Sequence, residues 1–403
     1  MSVPAPRALL LEQVHPDAAT ILTSAGLAVE TVGRALDEDE LIAALSDVAV
    51  LGIRSKTHVT ERVLEAAPQL LAVGAFCIGT NQIDLAAASS RGVTVFNAPF
   101  SNTRSVVELA IAEIISMTRR LTEKNALMHD GVWDKSADGA HEIRGRTLGI
   151  VGYGNIGTQL SVLAENLGLK VLFFDTADKL ALGNARRCVT MHELLSQSDV
   201  VTLHVDGRPS NESLFGRSEF ATMKPGALFL NLSRGFVVDY AELSARITSG
   251  LIAGAAVDVF PIEPKGRGDE FVSELRGLPN VILTPHIGGS TEEAQQDVGR
   301  FVAGKLRDYL IEGATSMSVN LPGLALAQPP GTSRVMLVHR NVPGVMATVD
   351  GVFAEHQVNV EAQLLGTRGE FGYVVTDVSA TLTEDILERL QRLPETVRLR
   401  VVS

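Results

Sequence analysis

The chain is 403 residues long, 45% apolar and 20% charged, with a formal net charge of −12. That composition belongs to a soluble globular protein of two or three domains, and the acidic balance argues against nucleic acid or an anionic membrane as a partner. No apolar run reaches the roughly 18 residues of a membrane span. The first residues lack the basic and apolar regions of a secretory signal. Cys77 and Cys188 are too few for a disulfide framework, so a reducing, cytoplasmic setting is expected.

In the first hundred residues, β-like runs alternate with helical ones. "ALLLEQV" precedes the helical "PDAATILTSAG", "VAVLGIR" precedes a helix near residues 60–67, "LLAVGAF" precedes one near 83–90, and "VTVFNAP" closes the series. Strands separated by helices predict a parallel sheet. Residues 103–121 then predict one long helix, and "GRTLGIVGYGNIG" starts a second α/β series that runs to His286. Beyond it, Val298, Phe301, Val302, Leu306 and Leu310 recur at helical spacing over residues 291–312. Residues 321–333, rich in Pro and Gly and without periodicity, read as a linker. The last seventy residues follow the order βαββαβ of a ferredoxin-like unit: 334–339, 344–355, 358–366, 371–379, 383–390 and 397–402.

"TLGIVGYGNIGTQL" sets Gly152, Gly154 and Gly157 in the G-x-G-x-x-G spacing, between an apolar run and a helix. The spacing alone is a weak signal, and a glycine-rich turn in a cofactor-free sheet is the plain alternative. The context strengthens it. "KVLFFD" ends at Asp175, where a dinucleotide fingerprint places the acid that meets the adenosine ribose. The glycines allow a tight turn, close approach of a pyrophosphate and close helix packing, and the helix N-terminus supplies N–H groups to phosphate. A carboxylate at Asp175 repels a 2′-phosphate, so NAD is favoured over NADP. Because this fingerprint starts mid-chain, the expectation is two Rossmann-like doubly wound domains, one inserted in the other. Residues 1–100 and 290–320 would bind substrate and 101–289 the nucleotide, with the site in the cleft between them. Residues 334–403 would follow the linker as a regulatory unit.

Further along, apolar runs end at Ser233-Arg234, at Asp258 with Glu263 close behind, and at His286 in "LTPHIGGST". Each has a plain reading: a surface Arg, turn acids, a loop His. In open α/β sheets, however, ligands bind beyond the carboxyl ends of the strands, and four such residues in succession point to one crevice. An imidazole titrates near neutrality, a neighbouring carboxylate stabilises its protonated form, and Arg offers a planar cationic fork for a carboxylate. No metal is needed.

"GYGNIG", "NLSRG", "DVFPIEP" and "TPHIGG", in this order and spacing, make the chain resemble the D-isomer-specific 2-hydroxyacid dehydrogenases. "GAFCIGTNQIDL", "NAPFSNTRSVVELAI", "KLALGNA" and "PHIGGSTEEAQ" extend the likeness over nearly the whole chain, and the C-terminal unit resembles an ACT-type regulatory domain. The resemblance implies His286 as acid/base, Glu263 as its partner and Arg234 as holder of the substrate carboxylate. It implies cofactor contacts at Asn155, Ile156, Leu232, Ser233, Asp258, Gly288 and Gly289 besides Gly152, Gly154, Gly157 and Asp175, with Asp258 facing the nicotinamide carboxamide. The implied reaction is NAD-dependent oxidation of 3-phospho-D-glycerate to 3-phosphohydroxypyruvate, opening L-serine synthesis. Arg54, Ser55 and Asn102 are the expected substrate contacts, although Arg54 with Lys56 also reads as a solvated charged loop. His339 and Asn341, in "VHRNVPGVM", with Asn359 across a dimer of these domains, are the expected site for L-serine as an inhibitor. A domain that only dimerises is the alternative. A homotetramer is expected, with Trp133 in the core or at a subunit interface and Lys135 reaching towards a neighbour's active site. Two further readings stand beside the first: a dehydrogenase for another 2-hydroxy acid such as glycerate or 2-hydroxyglutarate, and an NADH-sensing binding scaffold.

Overall fold

Strands β1 (Arg7–Leu11), β2 (Ala28–Val32), β3 (Val48–Ile53), β4 (Ala72–Ala75) and β5 (Thr94–Asn97) alternate with helices α1 (Pro16–Ser24), α2 (Glu38–Ala44), α3 (Glu61–Glu65) and α4 (Leu85–Ser90). This is a computed structural model, and it describes residues 5–264, 268–379 and 381–402. The strands pair in parallel in the order β2-β1-β3-β4-β5. β3, β4 and β5 are buried along their whole length, because crossover helices cover both faces of such a sheet. That is why these strands read as unbroken apolar runs.

Helix α5 (Thr103–Thr118) stops two residues before Arg120, and α6 (Leu121–His129) follows. The single helix expected over 103–121 is therefore two. Arg120 takes a left-handed conformation, φ 52°, and its guanidinium turns onto Glu123, 2.8 Å away. α6 buries none of its side chains.

The second α/β series comprises β6 (Thr147–Val151), α7 (Asn155–Asn166), β7 (Lys170–Phe174), β8 (Arg186–Arg187), α8 (Met191–Gln197), β9 (Val200–Leu203), α9 (Arg217–Thr222), β10 (Ala227–Asn231), α10 (Tyr240–Thr248), β11 (Ile252–Val257) and β12 (Val281–Leu283). Its parallel sheet runs β12-β11-β10-β9-β6-β7-β8. The order reverses between β6 and β9, the position at which doubly wound sheets take a nucleotide. Apolar layers pack on both faces, one around Phe215, Phe220 and Phe229, the other around Val107, Ile114 and Phe173.

α11 (Glu292–Glu312) leads to the C-terminal unit: β13 (Ser333–Arg340), α12 (Val345–Glu355), β14 (Val360–Arg368), β15 (Phe371–Val378), α13 (Glu384–Gln391) and β16 (Thr396–Val402). The strands are antiparallel in the order β14-β15-β13-β16, the ferredoxin-like arrangement anticipated from the βαββαβ order. Strand alternation sends Val335, Leu337 and Val374 to the face covered by α12 and α13. Met336, Val338, Tyr373 and Val375 go to the other face, where they join one apolar cluster with Leu306 and Tyr309 of α11 and Phe96 of β5.

Polar groups secure the same junction. The last carbonyls of a helix lack intrahelical donors, and side chains of the antiparallel sheet supply them. Arg400 donates to the Leu310 carbonyl at 3.0 Å, Arg334 to Glu312 at 2.7 Å, and the Tyr373 hydroxyl to Gly313 at 2.7 Å. Arg334 also makes a two-pronged pair with Asp377, both contacts at 2.7 Å, with neither side chain exposed. Residues 321–332 form no helix or strand, but Leu321 is fully buried, so the segment is tied down where it begins.

The chain divides into two compact units, Met1–Ser101 with Gln295–Ser403, and Asn102–Ala294.

Candidate functional site

The turn after β6 shows why each fingerprint glycine is needed. Gly152 has φ +93°, and a Cβ there would run into the His204 carbonyl at the end of β9. A Cβ at Gly157 would strike the Gly152 carbonyl. At Gly154 a Cβ would meet nothing within 4 Å. Gly154 is also the N-cap of α7 and contributes no side-chain cap. Open space in front of uncapped N–H groups suits a pyrophosphate, so the residues present fit a dinucleotide. Asn155 is exposed and Ile156 half-buried on the first turn of α7. Asp175, at the end of β7, accepts hydrogen bonds from the Tyr153 N–H and the Ala177 N–H, both at 2.8 Å. It thereby binds the fingerprint turn to the next strand.

The "NLSRG" turn after β10 is set by Asn231, which is fully buried. Its carboxamide donates to the Arg234 carbonyl (3.0 Å) and the Tyr240 hydroxyl (2.9 Å) and accepts from the Ser233 hydroxyl (2.8 Å). The Tyr240 hydroxyl in turn donates to the Val259 carbonyl at 2.7 Å, joining this turn to the loop after β11. Gly235 completes the junction, since a Cβ there would overlap the backbone of Phe260 and Pro261. Leu232 and Ser233 are buried, and Arg234 is half-buried.

Asp258, 1% exposed, was expected to meet the nicotinamide carboxamide. Its carboxylate accepts from the Thr284 hydroxyl (2.6 Å) and from the Ile287 and Gly288 N–H groups (2.8 Å each). It thus fixes the "TPHIGG" loop after β12 from beneath. In that loop His286 takes φ +55°, a costly conformation outside glycine that marks functional loops. A Cβ at Gly289 would crowd the Asn102 carboxamide, and the Ser105 and Thr291 hydroxyls meet at 2.8 Å. Asn102 and α5 therefore flank the same loop.

His286 Nδ1 lies 3.0 and 3.1 Å from the two Glu263 carboxylate oxygens, and the Phe260 N–H holds Glu263 from the other side at 3.1 Å. The hydrogen bond to Glu263 raises the His286 pKa above the ordinary imidazole value. Burial opposes this, the Glu263 and Asp258 charges reinforce it, and Arg234 subtracts. For Glu263, burial pushes the carboxyl up, but His286, the Phe260 N–H and Arg234 outweigh it and hold it below its usual range. Arg234, Glu263 and His286 thus feel one another electrostatically, which is the arrangement an acid/base needs to carry a proton near neutral pH.

Arg54 and Ser55 stand just after β3, in the other unit, Arg54 half-buried and Ser55 exposed. The His339 ring is 2% exposed. It lies against Gly372, where a Cβ would overlap it, with Nδ1 2.9 Å from the Arg340 carbonyl. Asn341 donates to the Gly369 carbonyl at 3.1 Å and Asn359 to Glu361 at 2.9 Å. The antiparallel register sets His339 opposite Gly372 and Val360 opposite Val378. Asn341, bonded to Glu370, and Asn359, bonded to Ser379, accordingly lie at opposite ends of β15, about 30 Å of strand apart, and one chain does not bring them together.

Sequence reasoning missed Asn231 and Tyr240, which set the turn that carries Arg234. Asn231 stood inside a quoted motif, where an Asn at a buried strand end was the available signal.

The family model described as D-isomer specific 2-hydroxyacid dehydrogenase, NAD binding domain, matches residues 111–288. One described as an AHAS small subunit-like ACT domain matches residues 335–398. The chain is 49% identical over 395 residues to D-3-phosphoglycerate dehydrogenase of Haemophilus influenzae, covering 98% of this chain and 96% of that one. It is also 49% identical over 397 residues to the enzyme of that name from Escherichia coli, covering 98% and 97%. Among solved structures, the TT0316 protein of Thermus thermophilus aligns with a TM-score of 0.70 and 29% identity over 78% of this chain and 99% of that one.

Proposed function

The chain belongs to the D-3-phosphoglycerate dehydrogenases, and from that premise we propose which residues do the work. The reaction is NAD-dependent oxidation of 3-phospho-D-glycerate to 3-phosphohydroxypyruvate. Bound NAD supplies the acceptor for the hydride that leaves C2. His286 removes the C2 hydroxyl proton as the carbonyl forms, and Glu263 stabilises the resulting imidazolium. Arg234 holds the substrate carboxylate and polarises the reacting oxygen. Asp258 acts mainly by fixing the loop that carries His286. The first turn of α7 takes the pyrophosphate and Asp175 the adenosine ribose, while Arg54, Ser55 and Asn102 contact the substrate, with Arg54 on its phosphate. The observation that carries this assignment is the His286–Glu263 contact within reach of the Arg234 charge. A complete acid/base set with a C-terminal ACT unit disfavours a redox-sensing scaffold. NADH absorbance with a panel of 2-hydroxy acids tests the reading: turnover should be greatest with 3-phosphoglycerate, and preference for glycerate or 2-hydroxyglutarate would overturn it.

L-serine is the proposed effector, held by His339 and Asn341 of one chain and Asn359 of a second. The opposite placement of Asn341 and Asn359 supports a site shared by two copies. β14, an edge strand with half its side chains outward, offers the pairing surface. Leu121, Met128, Val132 and Trp133 are all exposed, Trp133 to 77%, and they offer a second. Two different self-complementary interfaces generate a tetramer. No helix among the described residues is long and apolar enough to cross a membrane. A cytoplasmic location suits substrates whose charge keeps them in the aqueous phase.

A further inference from the structure

Glu12 is the residue after β1. It is 8% exposed, and it and Gln13 both have positive φ, 62° and 55°. Two successive left-handed residues without glycine are costly and persist only where surrounding contacts hold them. What the conformation achieves is a contact across the sheet. The Glu12 carboxylate accepts hydrogen bonds from three backbone N–H groups of the loop after β3: Arg54 (3.2 Å), Lys56 (3.0 Å) and Thr57 (2.8 Å). The carbonyl of Arg54 is taken from the other side. Gln82, 4% exposed, donates to it at 2.6 Å, and the Cys77 thiol approaches it at 3.6 Å. Helix capping does not explain Glu12, because α3 is capped by Thr60. Nor does packing, since a buried carboxylate is costly unless its hydrogen bonds are needed. Among the described residues the Arg54 guanidinium has no hydrogen-bond or ion-pair partner, so the clamp holds the backbone and leaves the cation available.

We propose that Glu12 and Gln82 are positioning residues for the phosphate end of the substrate, acting through Arg54. This rests on the reading of Arg54 as the phosphate contact. The clamp also shifts the burden of recognition. The N–H groups of residues 54, 56 and 57 are consumed by Glu12, so the loop is not a backbone anion cradle. Selectivity for phosphate falls on the Arg54 side chain, with Ser55 beside it. A loop held in advance binds without first losing its own freedom, which is what Glu12 contributes.

The test is a double-mutant cycle on the full-length enzyme. Glu12→Ala should raise the KM for 3-phosphoglycerate about tenfold, equivalent to about 1.4 kcal/mol of binding, with kcat and the KM for NAD nearly unchanged. Gln82→Ala should act in the same direction. Glu12→Gln, which keeps an acceptor oxygen, should recover part of the loss. In an Arg54→Ala background, Glu12→Ala should add little, because the group it positions is gone. KM effects of Glu12→Ala and Arg54→Ala that simply multiply would overturn the inference, as would a fall in kcat with KM unchanged. If Glu12→Ala does not fold, Glu12→Gln and Gln82→Ala carry the same cycle. Arg54→Ala that leaves the KM for 3-phosphoglycerate untouched would contradict the phosphate reading itself. An effect of Arg54→Ala without one from Glu12 or Gln82 would contradict only the present inference.

Discussion

His286 Nδ1 lies 3.0 Å from a carboxylate oxygen of Glu263, and the contact raises the pKa of the one group while holding the other below its usual range. Oxidation uses the neutral imidazole. Its kcat/KM should therefore rise with pH through a value above that of free imidazole, whereas reduction, which draws on the imidazolium, should fall over the same range. Glu263→Gln removes the partner, so the His286 pKa drops and the rising limb moves to lower pH, with slower turnover. Superimposable pH profiles for wild type and Glu263→Gln would contradict the pairing.

Asp175 accepts from Tyr153 and Ala177 and is the proposed contact of the adenosine ribose. Asp175→Ala should raise the KM for NAD and increase turnover with NADP relative to NAD, because a repulsive neighbour of the 2′-phosphate is lost. Comparing kcat/KM for the two cofactors checks this, and an unchanged ratio would remove Asp175 from the ribose site.

Serine should inhibit wild type, and Asn341→Ala or Asn359→Ala should each weaken that inhibition while leaving turnover in its absence intact. Cutting the chain after Pro322 is a poor way to ask the question. The cut would expose Leu306 and Tyr309 and strip donors from the end of α11. Loss of large apolar contacts costs about 2–5 kcal/mol per side chain, so the shortened chain should melt well below wild type. Initial rates against serine concentration decide the matter. Wild type indifferent to millimolar serine would remove the regulatory claim and leave the catalytic one.

Glu113 of α5 is 3% exposed, and both its oxygens lack partners among the described residues. Burial, with Asp258 adding, raises its pKa to about 8. An unfolded Glu titrates near 4.3. Between those values the folded chain holds a proton that the unfolded chain has released, so stability falls as pH rises, by at most about 1.4 kcal/mol per pH unit, and levels off above about pH 8. Glu113→Gln cannot ionise, and its melting temperature relative to wild type should climb from pH 5 to pH 8. A constant difference would show that Glu113 is not neutral in the folded protein.

The features legible in the sequence were those written in short windows. The βα alternation, the G-x-G-x-x-G turn, and the strand ends at Arg234, Asp258 and His286 depend on neighbours a few residues apart. Glu12 was invisible because its three donors lie more than forty residues away, and an acid after an apolar run looks like any strand end. Asn231, at the end of β10, and Tyr240, the first residue of α10, link in series to a carbonyl on another loop. Arg334 and Asp377 read as ordinary charges on two strands, and only the pairing register buries them together. The break at Arg120 was hidden because Arg is a good helix former and the apolar spacing continues past it. At Asp258 the sequence shows only an acid after an apolar run, and the loop from Thr284 to Gly288 that it also holds is visible only in the structure.

The most direct measurement is NADH formation from 3-phosphoglycerate by wild type and His286→Asn, with NADH binding followed by fluorescence in both. Asn at this position removes the titrating group, and loss of a positioned acid/base costs about 10²–10⁴-fold in rate. Wild type should turn over robustly and His286→Asn hardly at all, with equal NADH affinity in both. Near-normal turnover by His286→Asn, or no turnover of 3-phosphoglycerate by wild type, would contradict the proposed mechanism.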